Sequence, residues 1–169
     1  IAKRSFEEGA NIINDISGGS YDDKMFQTIS EIKVPYVLMH LRGTPNNMMS
    51  KTNYQNLLLN LIEYFDKKTT KLKSYGVNDI IIDPGFGFAK DFDQNYDILK
   101  NLNLFNIFNL PILVGLSRKS FVKKKYGTEN SLKGTLDLNK IAIEKGANII
   151  RVHDVLEHRN LIKNFLNRS

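Results

Sequence analysis

The sequence contains no cysteine and no long apolar run. The lack of cysteine excludes a disulfide framework, a zinc site made of thiolates and a cysteine nucleophile, and it is compatible with a reducing compartment. Because no apolar run approaches the ~20 residues that cross a bilayer, we expect no contact with a membrane. Together these absences lead us to expect a cytoplasmic protein.

The residues that are present are typical of one globular domain. Of the 169 residues, 41% are apolar and 25% are charged, and 24 basic against 18 acidic residues give a formal net charge of +6. This length suits a single domain with a real core, which we place at residues 1–169. We do not expect nucleic-acid binding, because the basic run at residues 123–125 lacks interleaved aromatic residues.

Short apolar runs alternate along the chain with amphipathic segments of helical length. Each run is rich in Ile, Val or Leu and is bounded by Gly, Pro, Asn or Asp, as strands buried on both faces are. The predicted strands are Asn11–Asp15, Pro35–Met39, Asp79–Asp83, Pro111–Gly115 and Asn148–Val152. The predicted helices are Ala2–Glu8, Asp22–Ile32, Asn53–Tyr75, Gln94–Leu102, Ser131–Lys145 and Glu157–Leu166. We therefore predict an α/β fold with a parallel sheet covered by helices.

Two architectures fit this alternation: an open doubly wound sheet and part of an eight-stranded barrel. The segment GANII occurs at residues 9–13 and again at 146–150, each time as a glycine that ends a helix and leads into a strand. Polar residues follow both copies, and repeated units with polar strand ends favour the barrel. Five strands cannot close an eight-stranded barrel, so we expect three βα units to be absent on the amino-terminal side.

The most informative segment is DPGFGF at residues 83–88, directly after a predicted strand. Asp83 would present a carboxylate beside two glycines, where a planar heterocycle can approach the backbone closely. Phe88 would offer a flat wall to such a ring. From these residues alone, a Pro-Gly turn with a capping Asp is about equally consistent.

The segment GLSRKS at residues 115–120 also follows a predicted strand. A serine N-cap at Ser117 or Ser120, exposed backbone amides and Lys119 would together bind an anion or a carbonyl group. An ordinary capped helix start with basic residues has the same composition.

The segment RVHD at residues 151–154 combines an arginine and a histidine at another predicted strand end. If the strand runs through Val152, alternation turns Arg151 and His153 inward on the same face. Because arginine binds phosphate in bidentate fashion, this arrangement favours a phosphate or pyrophosphate ligand over an exposed surface pair.

Asn14 and the histidines complete the candidate polar groups. The amide of Asn14 can both donate and accept hydrogen bonds, which suits a lactam-like ring edge, although Asn-Asp is also common turn material. His40, His153 and His158 lack the spacing of zinc ligands. We therefore predict no metal bound by this chain alone.

The five segments IINDIS, MHLRGTP, DPGFGF, LSRKS and IIRVHDV occur in this order and span nearly the whole chain. In sequence and order they resemble the dihydropteroate synthases of folate biosynthesis. The pterin-binding domains of methyltetrahydrofolate methyltransferases have the sequences most easily confused with those of the synthases. The segments SRKS and RVHD together favour the synthase. The resemblance implies a partial (β/α)8 TIM barrel made of its carboxyl-terminal five βα units.

The resemblance also implies a pterin site made of five residues. Asn14 and Asp83 would hydrogen-bond the edge of the pterin ring, while Met39 and Gly115 would line its slot. Lys119 would reach both the pterin and p-aminobenzoate, and it would be one of three catalytic residues.

The second substrate and the leaving group are placed by the same resemblance. Phe88, Lys119 and Ser120 would bind p-aminobenzoate, with Ser120 holding its carboxylate. Arg151 and His153 would be the other two catalytic residues and would hold the departing pyrophosphate. The implied reaction joins 6-hydroxymethyl-7,8-dihydropterin diphosphate to p-aminobenzoate and releases pyrophosphate, as in the enzymes that sulfonamides target.

Parts of the family pattern are missing from the chain. The family's first three βα units, one of which carries an Asn that ligates Mg²⁺, cannot be placed here. We therefore expect the Mg²⁺ ligand to lie outside this chain, the isolated fragment to be inactive and the full-length protein to be a homodimer. Ser131 stands where relatives often carry Arg, and Asp137 where we expect a small apolar residue. The alternatives are a degenerate pterin-binding module without catalysis and a pterin-dependent methyltransferase domain.

Overall fold

The computed structural model of the chain describes residues 1–166, and residues 167–169 of the predicted domain lie outside this range. Within it, five short β-strands alternate with helices. The strands are β1 (Ile13–Asp15), β2 (Tyr36–Met39), β3 (Ile80–Asp83), β4 (Leu113–Val114) and β5 (Ile149–Ile150). Each strand lies inside its predicted range and is shorter than it, so the predicted alternation is confirmed.

Helices connect and cover these strands. The α-helices of residues 1–166 are α1 (Ala2–Glu7), α2 (Met25–Ile32), α3 (Leu57–Ser74), α4 (Phe92–Lys100), α5 (Ser120–Tyr126), α6 (Ser131–Glu144) and α7 (Val155–Leu166). The 3₁₀ helices Met48–Lys51 and Leu102–Phe108 were not expected from the sequence. Across the described part of the chain, no helix has both the length and the apolarity needed to cross a membrane.

Side-chain caps set two helix starts that differ from the prediction. Helix α3 begins at Leu57 because the Asn56 side chain accepts a hydrogen bond from the amide of Leu59 at 3.1 Å. Helix α4 begins two residues earlier than expected because Asp91 and Gln94 form a reciprocal capping box, with both hydrogen bonds 2.9 Å long. Such caps satisfy amide groups that have no partner inside the helix.

The strands are parallel and neighbour one another in chain order. Strands β1, β2 and β3 form one ladder, β4 pairs with β5, and a bridge between Ile82 and Ile112 joins the two parts. Crossovers between parallel strands are right-handed in nearly all proteins, and such crossovers between sequential neighbours put all the helices on the same face. A doubly wound sheet would instead reverse its strand order, so the fold is an arc of a (β/α)8 barrel.

Alternation along the strands divides their side chains between two faces. Val37, Ile81 and Leu113 form a small apolar cluster of their own on one face. Residues of opposite parity, such as Tyr36 and Ile82, belong to the main core that the strands share with the helices. Because the strands are parallel, their carboxyl ends and the loops that follow lie along the same edge of the sheet.

The arc has two free strand edges. Within the described residues, β1 pairs only with β2 and β5 only with β4. Ile12 beside β1 is 52% exposed and Ile149 in β5 is 36% exposed, whereas the central strands β2 and β3 are fully buried. Five strands with two free edges agree with the predicted partial barrel.

Candidate functional site

Arg151 joins three of the strand ends at which the sequence predicts a site. Its Nη1 donates to Oδ1 of Asn14 at 2.9 Å, and its Nη2 donates to Oδ2 of Asp83 at 3.2 Å. The guanidinium also lies directly over Gly115, where an added Cβ would come within 2.9 Å of Nη2. The structure therefore brings Asn14, Asp83, Gly115 and Arg151 together, although they are up to 137 positions apart in the chain.

Asp83 is the most deeply buried acidic group of the site. Only 1% of the residue is exposed, and its Oδ1 accepts a hydrogen bond from the amide of Gly85 at 2.8 Å. Burial raises the pKa of Asp83, while the Gly85 amide, Arg151 and two nearby lysines act to lower it. The carboxylate is thus held by specific donors in a site that disfavours a free charge.

The turn after Asp83 depends on glycine. Gly85 has φ +72°, and a Cβ there would clash with the carbonyl oxygen of His40. Gly87 also has a positive φ, and its amide donates to Oδ1 of Asn95 at 2.7 Å. The turn therefore packs its backbone directly against the end of β2, which only glycine allows at position 85. The predicted approach of a planar heterocycle to this backbone stays a prediction.

Lys119 faces this turn from the next loop. Its Nζ lies 4.2 Å from the centre of the Phe88 ring, a cation–π contact that places the lysine and the aromatic wall side by side. Burial lowers the pKa of Lys119, and the negative charge of Asp83 opposes this shift. The predicted p-aminobenzoate residues Phe88 and Lys119 are therefore adjacent.

The predicted serine cap of α5 is wrong. Lys119, not a serine, is the N-cap residue of α5, and it makes no capping hydrogen bond with its side chain. Ser120 is the exposed first residue of the helix. Ser117 is buried and instead contacts Nδ1 of His153 at 3.0 Å, so its hydroxyl joins two loops.

The predicted inward alternation of Arg151 and His153 is also wrong. Strand β5 ends at Ile150, because its partner β4 has only two residues, and the last ladder hydrogen bond runs from the amide of Arg151 to Val114 at 2.8 Å. Beyond this point the two side chains take different partners. Arg151 turns to Asn14 and Asp83, while His153 bonds to Ser117.

Met39 lies at the same level of the sheet as Asp83, its partner in the β2–β3 register. The residue is fully buried and packs with Leu41 and Ala89 in a small cluster under the turn. Met39 therefore presents no exposed surface in this structure, and its role in lining the pterin slot stays a prediction.

Two contacts that organise the site were not predicted from the sequence. Lys90 is buried behind the turn, and its Nζ lies 3.0 Å from Nδ1 of His40. Arg118 pairs with Asp154 at 2.6 Å and links the loop after β4 to the loop after β5. His40 is fifty positions from Lys90 and Asp154 is 36 positions from Arg118, so neighbouring residues in the sequence did not indicate either contact.

The acidic residues of this region do not fit Mg²⁺. Within residues 1–166, no group of three or more His, Cys, Asp or Glu side chains is arranged to hold a metal ion. Asp83 is engaged by Gly85 and Arg151, and Asp15 accepts hydrogen bonds from Ser17 and from the Tyr36 hydroxyl. These carboxylates are therefore used in separate structural contacts.

Comparison with known proteins places the chain among enzymes that bind pterins. Residues 1–153 match the family model described as pterin binding enzyme. A bifunctional dihydropteroate synthase/dihydropteroate reductase from Helicobacter pylori is 39% identical over 166 residues, covering 97% of this chain and 43% of that protein. A dihydropteroate synthase from Synechocystis is 37% identical over 160 residues, covering 92% of this chain and 55% of that protein. The chain spans about half the length of the curated relatives it matches.

Solved structures of dihydropteroate synthases share the fold. The Thermus thermophilus enzyme in complex with 6HMPPP has a TM-score of 0.93 at 29% identity, covering 98% of this chain and 67% of that one. Its complex with 4-aminobenzoate has a TM-score of 0.94 at 28% identity, with 99% and 66% covered. The Yersinia pestis enzyme in a sulfonamide drug complex has a TM-score of 0.91 at 32% identity, with 99% and 62% covered.

Proposed function

The chain belongs to the family of pterin binding enzymes, and on that premise we propose that it supplies the pterin and p-aminobenzoate sites of a dihydropteroate synthase. The proposed reaction joins 6-hydroxymethyl-7,8-dihydropterin diphosphate to p-aminobenzoate and releases pyrophosphate. Support comes from the names of the relatives and from solved complexes of similar enzymes with 6HMPPP and 4-aminobenzoate.

The observation that carries the proposal is the contact of Arg151 with Asn14 and Asp83. A guanidinium is a planar set of N–H donors, and the amino-pyrimidinone edge of a pterin carries adjacent N–H groups of similar spacing. The oxygen atoms of Asn14 and Asp83 that accept hydrogen bonds from the guanidinium can therefore accept them from the pterin edge. Pterin binding would replace Arg151 at Asp83 and Asn14 and release the guanidinium toward the diphosphate.

The proposed chemistry needs no protein nucleophile. The bond from the pterin methylene carbon to the diphosphate oxygen breaks, and its electron pair leaves with pyrophosphate. The lone pair of the aniline nitrogen forms the new C–N bond, and that nitrogen then loses a proton. Lys119, Arg151 and His153 are the proposed catalytic residues, because cationic and N–H donating groups stabilise the charge that grows on the leaving group.

The proposed p-aminobenzoate site lies beside Phe88. The ring of Phe88 offers a flat surface, and the Nζ of Lys119 lies 4.2 Å from its centre. A positive charge at this distance would attract the substrate carboxylate, and Ser120 at the start of α5 would add a hydroxyl. Because a sulfonamide drug complex is known for a similar enzyme, we include sulfonamides as proposed competitors at this site.

The Mg²⁺ requirement, the homodimer and the cytoplasmic location remain predictions. The acidic side chains of residues 1–166 do not form a magnesium site, and the ligand was predicted to lie outside this chain. No step of the proposed reaction is therefore assigned to the metal.

The proposal is tested by turnover of the whole polypeptide that the gene encodes, supplied with both substrates. Dihydropteroate and pyrophosphate should appear in equal amounts. Lys119→Met should lower the rate at least tenfold, because it removes a charge next to both proposed substrates. Lys123→Met is the matched control, since Lys123 lies one turn later on α5 and is exposed.

Two results would contradict the proposal. Pterin binding without any product would indicate a degenerate binding module. Methyl transfer from methyltetrahydrofolate, with no use of p-aminobenzoate, would indicate a methyltransferase domain. Equal loss of activity in Lys119→Met and Lys123→Met would remove Lys119 from the proposed site.

A further inference from the structure

A lysine is buried directly behind the turn that follows Asp83. Lys90 is only 2% exposed. Its Nζ lies 3.0 Å from Nδ1 of His40, 3.1 Å from the carbonyl oxygen of Gly85 and 2.9 Å from the carbonyl oxygen of Phe88. An ammonium group has three N–H donors, so these acceptors use all of them.

His40 receives one of these hydrogen bonds as a neutral ring. It is 3% exposed, and burial lowers the pKa of His40 well below its usual value, with the charges of Lys90 and Arg42 acting in the same direction. Since an ammonium only donates, Nδ1 of His40 accepts from Lys90 and the ring proton lies on Nε2. The backbone amide of His40 also donates to the carbonyl oxygen of Asp83 at 3.0 Å.

Stability alone does not account for a lysine at this place. An ammonium removed from water is unfavourable unless it is fully hydrogen-bonded, and an apolar side chain would fill the same volume without that penalty. Burial lowers the pKa of Lys90 to about 7, while the negative charge of Asp83 acts to raise it. What the lysine specifically provides is a fixed distance between His40 and two carbonyl groups of the turn.

The two carbonyl groups mark the ends of the tightest part of the turn. The amide of Phe88 donates to the carbonyl oxygen of Gly85 at 3.0 Å, so Gly85 and Phe88 already close a four-residue loop. Lys90 binds both residues from behind. It therefore sets the position of Gly85, whose amide holds the Asp83 carboxylate, and of Phe88, whose ring faces Lys119.

We propose that Lys90 and His40 are positioning residues that hold the Asp83 turn in the geometry needed to bind the pterin. This inference rests on the proposed function and adds to it two residues that do not touch the substrate. Lys90 fixes the Asp83 carboxylate through Gly85 and places a positive charge on the buried side of the turn. Lys119 contacts the ring of Phe88 in the same turn.

The test compares three forms of the whole polypeptide: wild type, Lys90→Met and Leu72→Ala. Lys90→Met keeps the length of the side chain and removes its three donors. Leu72→Ala is the control, because Leu72 is fully buried in α3 and its carbonyl contacts the residue Val77 ahead of β3, at the other end of the sheet. Measurements are made where all three forms are folded by circular dichroism.

Lys90→Met should speed hydrogen exchange at the amides of Gly85, Gly87 and Phe88 by about tenfold or more relative to both other forms. It should also weaken binding of 6-hydroxymethylpterin, measured by calorimetry, by about tenfold. The ¹⁵N resonance of Nδ1 of His40 should shift in the same variant. Leu72→Ala should lower the melting temperature without changing the pterin affinity or the His40 resonance.

Unchanged exchange in the turn, or faster exchange with wild-type pterin affinity, would overturn the inference. If Lys90→Met does not fold, His40→Phe replaces it, because that variant removes the Nδ1 acceptor and keeps an aromatic ring. A wild-type protein that fails to bind pterin would overturn the proposed function instead, and exchange in the turn would still decide whether Lys90 holds it.

Discussion

Two regions at the carboxyl edge of the sheet carry the proposed site, and they are built in opposite ways. The turn at residues 83–90 is closed by buried groups, with Asp83 and Lys90 almost fully shielded from water. The segment at residues 151–154 lies at the surface, where 44% of the Arg151 side chain is exposed. It is held by hydrogen bonds to neighbouring loops and by the ion pair of Arg118 with Asp154.

The difference matches the tasks that we propose for the two regions. A flat, neutral ring edge is best recognised by acceptors whose positions are fixed before binding, because fixed groups lose little entropy when the ligand arrives. A diphosphate that arrives and leaves as pyrophosphate needs donors that can exchange partners. Arg151 has such partners in Asn14 and Asp83, whereas Asp83 itself is held by Gly85.

The variant Asp83→Ala tests most directly whether the buried turn binds the pterin ring. Loss of a hydrogen-bonded charged contact in a buried site typically removes ~1.5–3 kcal/mol, so pterin affinity should fall roughly ten- to a hundredfold. Calorimetry with 6-hydroxymethylpterin measures this loss. Asp79→Ala is the control, because Asp79 is exposed and lies just ahead of β3, at the opposite end of the strand. Unchanged affinity in Asp83→Ala would mean that the turn is not the pterin site.

The buried charge of the turn predicts a pH dependence of stability. Burial lowers the pKa of Lys90 to about 7 in the folded chain, while an unfolded lysine has a pKa of about 10.4. Between these values the unfolded state binds the extra proton, so the free energy of unfolding should rise as the pH rises from 7 to 9. We expect a rise of about 2 kcal/mol in wild type relative to Lys90→Met.

Urea unfolding at several pH values measures this difference. Lys68 and Lys119, whose pKa values burial also lowers, are present in both proteins, so their contributions cancel in the comparison. Parallel curves for wild type and Lys90→Met would show that Lys90 is protonated equally in the folded and unfolded states. Lys90 would then keep its proton in the folded chain up to pH 9, and the lowering of its pKa by burial would be rejected.

The sequence predicted the arc of strands well because its signals are local. Runs such as residues 79–83 and 35–39 carry their own apolar pattern and boundary residues, and the parallel arrangement follows from the helices between them. Once the strands are parallel, Asn14 and Asp83 must lie at the same edge. Their meeting was therefore predictable, although the arginine that joins them was expected to face a phosphate.

The errors came from features that depend on remote partners. The side chains of Arg151 and His153 were placed by strand alternation, but the length of β5 is limited by β4, which lies more than thirty residues earlier. Lys90 lies between DPGFGF and the predicted helix Gln94–Leu102, and no role was predicted for it. Its burial depends on His40, fifty positions away, so its own neighbours in the sequence could not reveal it.

The last prediction sharpens the contrast between ring recognition and leaving-group binding. Arg151→Ala should weaken binding of the pterin diphosphate by about tenfold, the effect of losing an electrostatic contact of ~1.4 kcal/mol. Binding of 6-hydroxymethylpterin, which lacks the diphosphate, should be unchanged or tighter, because Arg151 no longer competes for Asn14 and Asp83.

Arg118→Ala is the matched control, since Arg118 pairs with Asp154 and not with Asp83. Its effect on the diphosphate should be smaller than that of Arg151→Ala and should diminish with added salt, as expected for an exposed ion pair. Calorimetry with the two pterins separates these outcomes. An equal loss of affinity for both in Arg151→Ala would assign Arg151 to the ring pocket and remove its proposed role in holding pyrophosphate.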